Sequence, residues 1–242
     1  MTTRIQILCA SSGFVFVVAL FGGLLTTGFF PLPSPDLPKE AVSALWQDNP
    51  NAIRLGLVIM MFGAALTAPL VAAISFQLKR IGRHTETLAS VQLICGTAGV
   101  VAIFMPIMIM MAASYRPERD PDVLMLANDM AWIPFIINGP PAIFQCISIG
   151  IAILTDKGHA PIYPRWVGYL NLWIAFTFLP ACLLLFFKTG PFAWNGLLSF
   201  WLAATTFGTW FLVMATMTII AARREPEVSA EVVVGSKDFE RA

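Results

Sequence analysis

The chain has 242 residues, a net charge of +1 and a mean hydropathy of +0.76; 57% of its residues are hydrophobic and only 12% charged. A water-soluble domain carries about 25% charged residues, so there is too little polar surface here to cover a globule in water, and the chain reads as an integral membrane protein. No basic block with interleaved aromatics is present, so nucleic acid is not an expected partner.

A bilayer is crossed by about 20 apolar residues, and six stretches qualify: 7–30, 53–78, 88–114, 124–155, 166–187 and 197–222. The first follows MTTRIQ and resembles the start of a signal peptide. Its run of about 24 residues exceeds the ~7–15 of a secretory apolar region, and no small-residue cleavage site ends it, so it is read as a retained span. Between the first two spans, Pro31, Pro33, Pro35 and Pro38 favour extended chain. Leu37, Ala41, Leu45 and Trp46 then recur at helical spacing and predict an amphipathic helix over 37–48, lying on the outer surface as an interfacial anchor or a lid. The apolar runs are continuous rather than alternating, which selects an all-α polytopic bundle over a barrel. It forms one six-helix transmembrane domain, 1–222, followed by a polar tail, 223–242, expected to be disordered.

Lys and Arg set the orientation. Arg4, Lys79, Arg80, Arg83, Lys157, Arg165, Arg223 and Arg224 fall on one side; Lys39, Arg54, Arg116, Arg119 and Lys188 fall on the other. The richer side predicts both termini in the cytoplasm. Pro106 is expected to interrupt span three, Gly139-Pro140-Pro141 span four and Pro180 span five. These positions do not correspond between the two halves, which argues against an inverted repeat.

Span four is the unusual one. LANDMAWIPFIINGPPAIFQ, at 126–145, carries Asn128, Asp129, Asn138 and Gln145 among its prolines. Counting back about 20 residues from Asp156 reaches about Phe135, so Asp129 is expected in the outer headgroup zone rather than at mid-membrane. Asn138 and Gln145 fall inside the span, at i and i+7 on one face, on either side of the proline break. They are read either as interhelical hydrogen-bonding groups or as ligand contacts. Trp46, Arg54, Asn128, Asp129, Trp132, Lys188, Trp194 and Asn195 gather on the outer side. There Asp129 is placed to pair with Arg54 or Lys188, with Trp132 on its own face; the arrangement is a small-molecule pocket or an ordinary aromatic belt with a surface ion pair.

The only histidines, His84 and His159, lie in predicted cytoplasmic loops, which excludes a bis-histidine haem and a His-rich iron or copper site. Cys9, Cys95, Cys146 and Cys182 form no CxxC pair, so neither a disulfide framework nor a zinc site follows. The methionines of MPIMIMM, 105–111, have no polar ligand beside them and read as packing. No G-x-S-x-G elbow, phosphate loop or dinucleotide fingerprint occurs. No cofactor or metal is expected, and Asp129 is the one weak catalytic candidate.

PRWVGYLNLW, at 164–173, and FKTGPFAWNG, at 187–196, together with six spans and a Pro-rich first outer loop, resemble a family of bacterial multi-pass membrane proteins without an established activity. The resemblance covers nearly the whole chain and implies the bacterial inner membrane, but no chemistry. Three functions are left open. The expected one is binding or transport of a hydrophobic small molecule in a cavity at the Gly139-Pro140-Pro141 break, between spans two, four, five and six. Its ligand-binding residues would be drawn from Asn128, Asp129, Trp132, Asn138, Gln145, Asn171, Arg54 and Lys188. The second is an accessory subunit without a ligand site, with a polar seam on its lipid-facing surface. The third is a membrane enzyme on a lipophilic substrate with Asp129 as acid, which requires Asp129 away from Arg54 and Lys188.

Overall fold

The six apolar runs form six helical segments long and apolar enough to cross a membrane: Thr3–Thr26, Pro50–Ile81, Arg83–Tyr115, Pro121–Leu154, Arg165–Phe186 and Leu197–Arg224. The computed structural model describes residues 2–239, with side chains through residue 224. Its helices are α1 (Thr3–Thr26), α2 (Lys39–Asp48), α3 (Pro50–Ala65), α4 (Thr67–Ile81), α5 (Glu86–Tyr115), α6 (Pro121–Ile136), α7 (Gly139–Leu154), α8 (Arg165–Thr177) and α9 (Leu202–Phe239). There is no strand among the described residues. The protein is a multi-pass membrane helical bundle. Large apolar side chains such as Leu8, Phe62, Ile94, Val101 and Phe176 face outward, as expected where the solvent is hydrocarbon.

α4 is the central element. It packs against α1, α5, α7 and α9. Close helix approaches rest on small residues: a Cβ on Gly56 would meet Thr27 Cγ2 at 2.6 Å and the Thr27 backbone nitrogen at 2.8 Å, so α1 and α3 touch nearly backbone to backbone. The expected short amphipathic helix is present as α2, beginning at Lys39 because Pro38 is its N-cap. It lies against α6 through a Lys39–Asp122 ion pair of 2.8 Å, and Trp46 on its underside is fully buried against Phe29, with ring centroids 4.9 Å apart.

The breaks differ from expectation. Pro106 does not interrupt its span: α5 runs unbroken for 30 residues through it. Span two, for which no break was expected, resets at Leu66. Pro69 has no N–H and its ring opposes the carbonyl four residues back, that of Ala65, where α3 ends. At the reset, the Leu66 carbonyl accepts a hydrogen bond from Ser12 Oγ at 2.6 Å. Span four does break, at Ile137–Asn138, with Pro140 and Pro141 in the first turn of α7. Span five changes from α8 to a 3-10 segment, Pro180–Phe186, and span six opens with a π-turn, Leu197–Trp201. The tail expected to be disordered from 223 is helical in its backbone to Phe239, continuous with α9; residues 240–242 of that tail lie outside the described residues.

Candidate functional site

All four interrupted spans meet one space. A cavity of about 130 Å³ is lined by Thr67 after the α3–α4 break, Asn138 and Gly139 at the α6–α7 break, Phe178 at the end of α8, and Ser199 and Phe200 in the π-turn. Interrupted helices are tolerated in a membrane where the irregular backbone is buried in protein or lines a cavity, and here every break does. Gly96, Gly99 and Val100 of α5 and Phe21 and Leu24 of α1 complete the walls.

The walls are aromatic and uncharged. Phe21, Phe135, Phe178, Phe200, Phe207, Trp210 and Phe211 all face the space, and no Asp, Glu, Lys, Arg or His is among its described lining residues. Trp210 is held by a hydrogen bond that its Nε1 donates to Asn171 Oδ1, at 2.8 Å. Asn171 in turn donates to the Val167 carbonyl at 2.8 Å and touches Met214 Sδ at 3.5 Å. Thr177 and Thr206 hydroxyls lie 3.1 Å apart and join α8 to α9 just beyond.

Two polar atoms among the lining residues are buried without a hydrogen-bond partner: Asn138 Oδ1 and Gln145 Nε2. Gln145 is only 8% exposed. Its amide nitrogen lies over Gly96, where a Cβ would come within 2.8 Å of it, so glycine at 96 makes the room. Gln145 is nine residues from the end of α7, about 14 Å along the axis, which puts it near mid-membrane. An unsatisfied amide group at that depth costs roughly 1–3 kcal/mol.

The residues singled out in the sequence separate into three groups. Asn138 and Gln145 are in the cavity wall. Asn171 sits behind it and positions Trp210. The outer group does not form a pocket with them. Trp132 Nε1 donates to Asn128 Oδ1 at 3.1 Å, and the Trp132 ring is fully buried against Phe29 and Phe135. Asp129 is half-buried and not a cavity-lining residue, and Lys188 is exposed in the loop before span six. Arg54 does not pair with Asp129. Its guanidinium caps the end of α5, donating to the Ser114 carbonyl at 2.9 and 3.0 Å and to the Tyr115 carbonyl at 3.4 Å, because terminal helix carbonyls lack intrahelical donors.

Sequence reading missed the cavity's other walls. Gly96 and Gly99, one turn apart in CGTAGV, were the available signal for a hollow beside span three. The π-turn residues Ser199 and Phe200 had none, since a π-turn has no sequence signature of its own. Compared with protein-family models, with curated proteins and with solved structures, the chain matches none of them.

Proposed function

We propose that this protein binds, and as a carrier moves, a hydrophobic small molecule in the cavity at the meeting point of its broken helices. The observation that carries the reading is the coincidence of an apolar, aromatic-walled cavity with two buried amide atoms that the protein itself leaves unpaired. Convergent polar atoms in an apolar concavity are the usual composition of a ligand site. The distribution of basic residues supports both termini being cytoplasmic, and the resemblance of the 164–173 and 187–196 stretches supports the inner membrane of a bacterium. The alternative of an accessory subunit is less well supported: the exposed hydroxyls of Thr205, Thr209 and Thr216 on α9 all bond to carbonyls of their own helix, so they offer no outward polar seam. Acid catalysis by Asp129 lacks support, since that carboxylate is outside the cavity.

Gly99 provides the test. It lines the cavity, and a Cβ there would meet nothing within 4 Å. Gly99→Leu should therefore grow into the space without disturbing α5. Mass spectrometry of organic extracts from purified protein should find a lipophilic species held by the wild type and absent from Gly99→Leu. The same retained species in both proteins refutes the reading.

A further inference from the structure

The cavity's size, charge and unpaired atoms narrow what it takes. We propose that its ligand is a neutral lipid headed by a six-membered ring with oxygens at opposite carbons, the quinol class; this rests on the cavity being a ligand site.

The lining has no charged side chain to compensate an ion, and burying an uncompensated charge near mid-membrane is prohibitive for binding. The start of α7 offers no anion cradle either, because Pro140 and Pro141 remove two of its first backbone donors. The ligand's buried part is therefore neutral. Its size follows from volume. An apolar protein cavity of about 150 Å³ holds one benzene ring, and this cavity is about 130 Å³. It admits a ring, and any alkyl tail must pass out of it.

The polar ends fit a ring carrying two oxygens. Gln145 Nε2 needs an acceptor and Asn138 Oδ1 needs a donor. The backbone positions of the two residues are seven apart, about 10 Å along the axis of α7, so their amides enter the cavity from two levels. A ring with oxygens at opposite carbons presents one polar atom to each level, within hydrogen-bond reach of about 2.8 Å of each amide. One hydroxyl donates to Asn138 Oδ1 and the opposite oxygen accepts from Gln145 Nε2. A simple long-chain alcohol satisfies one of these atoms and leaves the other unpaired. A carboxylate presents no donor to Asn138. The flanking Phe178, Phe200, Phe207 and Trp210 give the ring edges and faces to pack on.

The test uses the full chain in lipid nanodiscs, with empty nanodiscs subtracted, and three probes: 2-decylhydroquinone, its dimethyl ether and dodecanoate. The hydroquinone should bind at least tenfold tighter than the ether, which cannot donate, and than dodecanoate. Asn138→Leu should remove most of that advantage while leaving ether binding unchanged, and Gln145→Leu, which takes away the donor to the opposite oxygen, should weaken hydroquinone and ether alike; Asn138 is at a partly exposed helix start and keeps the test readable if Gln145→Leu does not fold. Gly99→Leu should abolish binding of all probes. Equal affinity for hydroquinone and ether, or preference for dodecanoate, with Gly99→Leu still abolishing binding, overturns the ligand class and leaves the lipophilic site standing. Binding of no probe above empty nanodiscs, or equal binding by wild type and Gly99→Leu, overturns both.

Discussion

Asn171→Leu isolates the contact that holds the cavity's largest side chain. Asn171 is fully buried, and its Oδ1 is the acceptor for Trp210 Nε1 at 2.8 Å. Leucine is similar in size, so the substitution removes the acceptor and leaves little void. Two terms add. The interhelical hydrogen bond in a membrane contributes about 0.6–1.7 kcal/mol. The indole N–H, now buried without a partner, costs up to about 1–3 kcal/mol. The second Asn171 contact adds little, since the Val167 carbonyl it reaches already accepts a helical bond from the Asn171 backbone. The single variant should therefore lose about 2–3 kcal/mol of stability. Removing both polar partners, in Asn171→Leu with Trp210→Phe, should restore part of it, so that a double-mutant cycle gives a coupling of about 1 kcal/mol or more. The assay is reversible unfolding in mixed micelles of detergent and denaturing surfactant. A single-variant loss under about 0.5 kcal/mol, or a cycle without coupling, refutes the claim that this bond anchors Trp210.

Other expectations concern the scaffold. The Lys39 ammonium is held above its ordinary 10.5 by its hydrogen bond to the Asp122 carboxylate; a raised folded-state value means the contact contributes fully below that pH and is lost as pH rises through it. Proteinase K should therefore cut within α2 faster at strongly alkaline pH than at pH 8, and Lys39→Met should cut fast at both; pH-independent cleavage of the wild type contradicts this. Gly56→Ala should cost roughly 1–3 kcal/mol, because the new methyl meets the Thr27 backbone nitrogen at 2.8 Å. Gly22→Ala, with open space around its Cβ, should be neutral or slightly stabilising in the same unfolding assay. Arg54→Met should leave the α5 carbonyls at Ser114 and Tyr115 without their donor and speed hydrogen exchange of the last turn of α5, with no change in retained lipophile.

What the sequence determined was what hydrophobicity and local geometry determine. Six apolar runs, too poor in charge for water, specify six crossing helices, and the helical spacing of Leu37, Ala41, Leu45 and Trp46 marks the outer helix within two residues of where α2 begins. Gly139-Pro140-Pro141 marks the break in span four because proline's missing donor acts on its own turn. The same local rule did not tell Pro69, which resets span two, from Pro106, which α5 carries straight through. A helix that resets is held by partners from elsewhere in the chain, and at Leu66 the carbonyl accepts from Ser12, 54 residues away in sequence. The tertiary structure also decided which polar residues were spent on packing. Asn128, Asn171 and Arg54 each found a partner on this chain, whereas Asn138 Oδ1 and Gln145 Nε2 did not. Hydrogen-bond satisfaction depends on what folds alongside a side chain, so only the assembled bundle separates the amides that hold helices together from those left to face a cavity.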